Sequence, residues 1–161
     1  SSNNFGPYQF PEKLIPFFIT RIFSKKALPL YGDGKHVRDW LYVEDHCEAL
    51  WLCLTKGTPG ERYNIGGNNE YSNIEIAKKI LVFFKKSPNS IEYVSDRPGH
   101  DRRYALDSSK IKRELGWRPV KSFDIMLKFT LQWYSNHHEW IRNLETKHGI
   151  LNTHIKTTVL V

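Results

Sequence analysis

The densest group of side chains able to bind a ligand lies in the segment Asp96–Arg103, which holds three arginines and one histidine. Pro98 fixes its own φ and favours an extended Arg97, while Gly99 allows the chain to turn sharply. Such a loop can direct guanidinium groups and an imidazole toward one small volume. Because a guanidinium matches two phosphate oxygens at once, this spacing predicts a site for a phosphorylated small molecule. The alternative is a solvated loop whose arginines pair with Asp96, Asp101 and Asp107.

Five residues elsewhere in the chain could complete such a site, although each also has an ordinary structural explanation. Asn3 and Asn4 offer two side-chain amides, or they cap turns. Lys13 lies near a predicted helix start and is either a ligand-binding group or a solvated cation. Arg38 lies on a predicted strand and either faces the site or pairs with a nearby aspartate. Tyr31 precedes a glycine turn and offers a ring against which a base could stack, or it is simply half-buried.

Sequence motifs of the common catalytic classes are missing from the 161 residues. There is no G-x-G-x-x-G fingerprint, no Walker lysine loop, no His-Glu-x-x-His and no G-x-S-x-G elbow. The cysteines and histidines form no cluster with zinc spacing, so no metal site is expected. The residues by themselves therefore predict a binding site without catalytic groups.

Composition limits the choice of partner and compartment. The net charge of +7 favours an anionic partner. A nucleic acid is the alternative to a nucleotide, but the lysines and arginines are scattered among acidic residues and form no basic stripe. The longest apolar run, Leu14–Phe23, is interrupted by Pro16 and Arg21, so no membrane span is expected. Cys47 and Cys53 are placed to stay unpaired, which favours a reducing compartment and a cytoplasmic protein.

Strands that alternate with helices along the chain predict an α/β fold with short strands and about five helices. The predicted strands are Leu28–Tyr31, Val37–Val43, Arg62–Ile65 and Ile91–Val94. The predicted helices are Pro11–Phe23, Glu44–Lys56, Asn73–Phe84, Ser108–Leu115 and Phe123–Arg142, of which the third begins with a capping box. The second helix has an apolar face, because Val43, Cys47, Leu50, Trp51 and Leu54 recur at helical spacing. Periodicity fades from Glu145, and only Thr157–Val161 is β-prone beyond that point.

Several runs of the sequence resemble the dTDP-glucose 4,6-dehydratases, which are extended short-chain dehydrogenase/reductases. These runs are Ser2–Tyr8, Phe10–Pro16, Tyr31–Gly34, Val37–Val43, Tyr63–Gly67, Asp96–Tyr104 and Leu115–Trp117. The resemblance covers residues 1–143 in order. It implies that residues 1–144 are the C-terminal, nucleotide-sugar-binding part of an extended Rossmann-type dehydratase, followed by a divergent tail at 145–161.

The resemblance also implies an activity, a cofactor and a subunit arrangement. Members of this family remove water from dTDP-glucose: a bound NAD takes a hydride from C4, water leaves across C5 and C6, and the hydride returns to C6. The family's glycine-rich phosphate loop, Tyr-x-x-x-Lys pair, Asp-Glu acid/base pair and homodimer helices would all precede the position of Ser1. We therefore expect this chain to show no turnover by itself, and NAD to be bound mainly by the preceding half.

The residues that the resemblance implies in binding overlap with those that stand out by their chemistry. Substrate contacts are implied for Asn3, Lys13, Leu14, Pro29, Leu30, Tyr31, Arg38, Asn73, Asp96, Arg97, Pro98, Gly99 and His100. Within this set Arg38 would hold the diphosphate, while the residues at positions 29–31 would line the nucleotide pocket. Asn4 would lie beside the nicotinamide cofactor.

Two alternatives to this interpretation stay open at the level of the sequence. The chain could be a stand-alone nucleotide-sugar binder or regulatory subunit, completed by a separate N-terminal half. It could also come from a relative that acts on UDP- or GDP-linked sugars. The expectation of a nucleotide-sugar site has one geometric consequence, which is that Tyr31, Arg38 and His100 open onto a single cavity.

Overall fold

The structure, a computed structural model, describes residues 1–148 and has the α/β architecture that the sequence predicts. Its helices are α1 (Leu14–Phe23), α2 (Val43–Lys56), α3 (Asn73–Phe83), α4 (Ser109–Leu115), α5 (Phe123–Asn136) and α6 (His138–His148). Its strands are β1 (Asn3–Phe5), β2 (Leu28–Tyr31), β3 (Val37–Tyr42), β4 (Glu70–Ser72), β5 (Ile91–Val94) and β6 (Arg103–Tyr104). The predicted β-prone segment Thr157–Val161 lies outside the described residues.

Strand β3 organises the larger of two sheets. Strand β1 runs parallel to its second half, with Asn3 opposite Trp40. Strands β4 and β6 pair with its first half, antiparallel and parallel respectively. The second sheet consists of β2 and β5, which are parallel with Leu28 opposite Ile91. The start of the chain and the arginine-rich loop that follows β5 therefore both reach β3.

The alternation of side chains along β3 separates two hydrophobic cores. Trp40 and Tyr42 belong to the larger core, which they share with apolar residues of α1, α3 and α5. Leu41 points into the smaller core and packs with Ala49 and Ile111. Both faces of the strand are thus covered, which fixes its register and the direction of each side chain on it.

A buried carboxylate locks β3 against the following glycine turn. Asp39 accepts hydrogen bonds from the backbone N–H groups of Gly67 and Asn69, both at 2.8 Å. A side chain at position 67 would collide with the backbone carbonyl of Trp40, so only glycine allows this approach. The Arg-Asp-Trp run and the Asn-Ile-Gly-Gly run therefore form one structural unit, which holds in place the strand that carries Arg38.

The strand predicted at Arg62–Ile65 is wrong. This segment has no strand assignment, and its link to the start of the chain is a hydrogen bond from the Ser2 N–H to the Ile65 carbonyl at 2.9 Å. Strands β1, β4 and β6 were not predicted. Each has only two or three residues, which is too short for an alternating pattern to be recognised.

Two helix boundaries also differ from expectation. Helix α1 begins at Leu14 rather than at Pro11. The single helix expected over Phe123–Arg142 is wrong, because His137 interrupts it with φ −124° and ψ 43° and separates α5 from α6. The apolar pattern continues across this break, so periodicity could not reveal it. The capping box predicted at the start of α3 is confirmed.

The apolar face predicted for α2 does not face the core. Leu50, Trp51 and Leu54 are 52%, 64% and 79% exposed. The buried positions of this helix are Asp45 and Ala49, and the Asp45 carboxylate accepts the backbone N–H of Lys121 at 3.2 Å. Helix α2 therefore presents large apolar side chains outward. No helix within residues 1–148 is long and apolar enough to cross a membrane.

Candidate functional site

A cavity of about 350 Å³ gathers most of the residues implied in ligand binding. Ten of those thirteen residues line it: Asn3, Lys13, Leu14, Pro29, Leu30, Tyr31, Arg38, Asn73, Arg97 and His100. The lining is completed by Pro11, Glu12, Phe17, Phe18 and Trp40. Asp96, Pro98 and Gly99 belong to the adjoining loop but do not line the cavity, and neither does Asn4. Tyr31, Arg38 and His100 thus open onto one cavity, as expected.

Arg38 is the buried cation of this cavity. It is 8% exposed, and its Nη1 donates a hydrogen bond to the Val37 carbonyl at 2.7 Å. Burial and the neighbouring Arg97 lower the pKa of the guanidinium, while Asp101 acts in the opposite direction. Within residues 1–148 no carboxylate forms an ion pair with it at 4.0 Å or less. A buried charge without a close counter-charge is costly, so Arg38 is suited to an anionic ligand.

The arginines of the loop divide into two groups. Arg97 lines the cavity, whereas Arg102 forms a bidentate pair with Asp33 at 2.7 and 2.9 Å. Arg103 forms a second bidentate pair, with Glu70, at 2.6 Å for both contacts. The expectation that all three guanidinium groups converge on one volume is therefore wrong. The alternative of a solvated loop paired with nearby aspartates named the wrong partners, because Asp33 and Glu70 both lie outside the loop.

One wall of the cavity is apolar and aromatic. Pro29 and Leu30 are buried on β2, and Tyr31 follows them half-buried. The Tyr31 ring meets the His100 ring edge-on, with the centroids 6.1 Å apart and the planes at 83°. Phe18 of α1 adds a further buried ring. A flat, largely apolar surface beside a cation fits a ligand that joins a ring system to phosphate.

Among residues 1–148, two buried polar atoms of lining residues have no hydrogen-bond partner. These are Oδ1 of Asn73, which is the first residue of α3, and Nε1 of Trp40 on β3. Buried polar groups in proteins are nearly always paired. One unpaired acceptor and one unpaired donor therefore belong to residues of the cavity wall, although neither atom itself is accessible to solvent.

The residues near the N-terminus occupy different positions around the cavity. Asn3 lines it, whereas the side-chain amide of Asn4 donates to the Ser2 carbonyl at 3.2 Å. Lys13 lines the rim with an exposed ammonium group that pairs with Glu12 at 2.7 Å. Lys13 is therefore a solvated cation at the edge of the site, in contrast to the buried Arg38.

The structure adds His36, which sequence reasoning missed. Its ring stacks on His100, and Asp96 lies beside both rings, 2.7 Å from Nδ1 of His100 and 3.1 Å from Nε2 of His36. One ligand atom from each of the three residues lies within 4.8 Å of the others. The rings are nearly parallel, at 16°, so their nitrogen lone pairs do not converge as ligands of one metal ion would. His36 and His100 are distant in sequence, and no spacing rule links them.

Comparison with known proteins points to one group of enzymes. The family model described as GDP-mannose 4,6 dehydratase matches residues 1–130. A dTDP-glucose 4,6-dehydratase from Escherichia coli is 53% identical over an alignment of 150 residues, and the match covers 86% of this chain and 41% of that protein. The chain thus spans less than half the length of this relative.

Solved structures agree with the sequence comparison. The crystal structure of dTDP-glucose 4,6-dehydratase from Bacillus anthracis in complex with NAD matches with a TM-score of 0.84 and 52% identity, over 89% of this chain and 45% of that one. The structure of DesIV, a dTDP-glucose 4,6-dehydratase from Streptomyces venezuelae with NAD and TYD bound, matches with a TM-score of 0.87 and 47% identity, over 89% and 44%. The chain therefore belongs to the GDP-mannose 4,6 dehydratase family, and its relatives at about 50% identity are dTDP-glucose 4,6-dehydratases.

Proposed function

We propose that this chain is the substrate-binding part of an NAD-dependent dTDP-glucose 4,6-dehydratase, which converts dTDP-glucose to dTDP-4-keto-6-deoxyglucose and water. The observation that carries the proposal is Arg38, a buried guanidinium that opens onto a cavity and has no ion-pair partner among the described residues. A diphosphate would supply the missing negative charge, and a base would fit the apolar wall. Relatives at about 50% identity that act on dTDP-glucose support the same ligand class.

Each wall of the cavity is proposed to bind one part of the ligand. The diphosphate lies against Arg38, with Arg97 as a second, more exposed cation. The base rests against Pro29, Leu30 and Tyr31. The sugar extends toward Asn3, Lys13 and Leu14, and Asn73 contacts the dTDP moiety. The loop Asp96–His100 bounds the dTDP moiety.

NAD is proposed to bind mainly to parts of the whole protein outside this chain. Two relatives solved with NAD are covered over only 45% and 44% of their length, and the 161 residues lack the glycine-rich fingerprint of a dinucleotide site. Asn4 is proposed to lie beside the nicotinamide, since it follows the cavity residue Asn3 on β1. By itself the chain would then bind dTDP-glucose without removing water from its sugar.

The outer face of α2 supports completion by a further part of the dehydratase fold. Leu50, Trp51 and Leu54 are exposed on one side of this helix, and clustered large apolar side chains favour contact with another protein surface. The homodimer of the whole protein is proposed to use helices that this chain does not contain. The free thiols of Cys47 and Cys53 fit a cytoplasmic location.

Calorimetric titration of dTDP, UDP and GDP into the 161-residue chain tests the binding proposal. We expect submillimolar binding of dTDP and weaker binding of the other two nucleotides, because the cavity would be shaped for thymine. Equal or tighter binding of UDP or GDP would instead favour a relative acting on those sugars. Absence of binding by all three nucleotides would reject a nucleotide site.

A turnover assay tests the second part of the proposal. The chain mixed with NAD and dTDP-glucose should give no keto-sugar absorbance, since we propose that the catalytic residues belong to the other half of the whole protein. Full-length dehydratase from a relative serves as the positive control. Keto-sugar formation by the chain alone would show that this half carries its own catalytic groups.

A further inference from the structure

His36 is a buried polar residue next to the proposed binding site. Its side chain is 4% exposed, and its backbone carbonyl accepts the N–H of Asn73 at 3.0 Å. Its ring stacks on His100 with a centroid distance of 3.7 Å and an interplanar angle of 16°. Tyr31 contacts the same His100 ring edge-on. Two aromatic contacts at different angles therefore restrict the plane of the His100 imidazole.

Asp96 restricts the remaining freedom of that ring. Its Oδ1 lies 2.7 Å from Nδ1 of His100 and also accepts the backbone N–H of Arg97 at 2.9 Å. Its Oδ2 lies 3.1 Å from Nε2 of His36. The hydrogen bond with His100 is the main cause of the lowered pKa of Asp96, so this carboxylate is ionised and can only accept hydrogen bonds. In the neutral form of His100 that donates to this carboxylate, the proton is on Nδ1 and Nε2 keeps its lone pair.

We propose that His36 is a positioning residue, whose flat face holds the His100 ring in the orientation that keeps Nδ1–H on Asp96 and leaves Nε2 as a hydrogen-bond acceptor for the ligand. The last part of this statement rests on the proposed nucleotide-sugar function. The ligand group that fits an imidazole acceptor is an N–H or O–H donor, such as a base imide or a sugar hydroxyl. His36 itself does not line the cavity.

Burial and most of the surrounding charges favour the neutral form of the His36 ring, which is compatible with stacking. Burial and the adjacent His100 lower the pKa of His36, and the cations of Arg102 and Arg38 act in the same direction. The Asp96 carboxylate opposes them. A neutral ring can lie face to face with His100 without like-charge repulsion.

The first test is the ¹⁵N NMR spectrum of the imidazoles in the full chain at about pH 7.5, roughly one pH unit above the ordinary histidine pKa, where an imidazole is mostly neutral. The spectrum should show His100 protonated on Nδ1 and unprotonated on Nε2, with assignment by the His100→Gln spectrum. This readout needs no ligand and no variant of His36. A His100 ring protonated on Nε2 would overturn the proposal outright, whether or not the chain binds a nucleotide.

The second test compares two substitutions. His36→Phe keeps a flat ring at this position, whereas His36→Leu removes it. Both new side chains are apolar, so the two variants differ mainly in the ring. The leucine variant should show a mixture of His100 tautomers and a dTDP affinity roughly threefold to tenfold weaker, the range of an aromatic pair contact. The phenylalanine variant should keep one tautomer and lie within about twofold of the wild-type affinity.

The outcomes separate this inference from the function on which it rests. If both variants keep a single His100 tautomer, the His36 ring positions nothing and the inference is wrong. If the tautomers respond as expected but no variant binds dTDP, the inference about His36 and His100 stands while the nucleotide proposal fails. If the leucine variant does not fold, His36→Met, which also lacks a flat ring, replaces it in the same comparison.

Discussion

Two pairs of arginines near the start of β3 show how the same residue type takes opposite roles. Arg102 and Arg103 are exposed, and each donates two hydrogen bonds to one carboxylate. Arg38 and Arg97 line the cavity, and neither forms an ion pair among the described residues. The arginine-rich segment therefore contributes one guanidinium to the proposed site and two to the surface.

The difference lies in partners and burial rather than in charge. An exposed ion pair gains little free energy because water and salt screen it. A buried guanidinium without a counter-charge carries a desolvation cost that an incoming anion can offset. Counting arginines in a loop thus overestimates its affinity for phosphate, and the carboxylates that the fold places beside each arginine decide which are available.

The largest expected effect follows from removing the buried charge. Arg38→Gln should weaken dTDP binding by about 3 kcal/mol, roughly 100-fold, because it removes charge-assisted hydrogen bonds to the diphosphate. Calorimetry measures the change, and circular dichroism checks that the variant is folded. A folded Arg38→Gln variant with wild-type affinity would place the anion elsewhere.

A smaller loss is expected at the exposed cation of the cavity. Arg97→Gln should weaken dTDP binding roughly fivefold or less, because water screens an exposed charge. The loss should shrink further when the salt concentration is raised, whereas the effect of Arg38→Gln should persist. Titrations of both variants with dTDP at low and high salt measure this difference. Equal salt dependence of the two affinity losses would contradict the distinction between a buried and an exposed arginine.

The buried His36 and the exposed ion pairs should affect stability in different pH ranges. Because burial lowers the pKa of His36, the unfolded chain binds more protons than the folded one below about pH 6.5, and stability falls as the pH drops through that value. The exposed pairs respond only at lower pH, since the pKa values of Asp33 and Glu70 are lowered by their arginine partners.

Urea unfolding of the wild type between about pH 7.5 and 5.5 spans the ordinary histidine pKa and measures this dependence. The decrease in stability should be smaller in His36→Phe, which cannot titrate. Some decrease should remain, because burial also lowers the pKa of His46. An identical pH dependence in both proteins would show that His36 does not titrate on unfolding.

The smallest effect is expected at the outer ion pairs. Arg102→Gln and Arg103→Gln should change dTDP affinity by less than about twofold, because both side chains are already paired and exposed. These variants are matched controls for the two cavity arginines, since all four changes remove one positive charge. A large loss of affinity in either control would mean that long-range charge, rather than contact, drives binding.

Much of the architecture could be predicted because it depends on local patterns. The capping box at the start of α3 and the alternation along β3 are readable from neighbouring residues, and both are present. The outward face of α2 could not be predicted in this way. An apolar stripe shows that a helix face avoids water, but not which protein segment covers it.

The members of the cavity were easier to predict than their arrangement. Arg38 and Tyr31 stood out by type and by their neighbours in the sequence, and both line the cavity. The diversion of Arg102 to Asp33 depends on a contact between distant segments. The stack of His36 on His100 depends on another such contact. No local rule connects these residues, so only the folded chain reveals them.

The most direct test of the central claim compares the affinities of thymidine and dTDP for three proteins: wild type, Arg38→Gln and Arg102→Gln. The ratio of the two dissociation constants isolates the contribution of the diphosphate, because both ligands carry the same base. We expect a large ratio in the wild type and in Arg102→Gln, and a ratio reduced roughly 100-fold in Arg38→Gln. A ratio that is unchanged by Arg38→Gln, or that falls equally in both variants, would contradict the assignment of Arg38 as the diphosphate-binding residue.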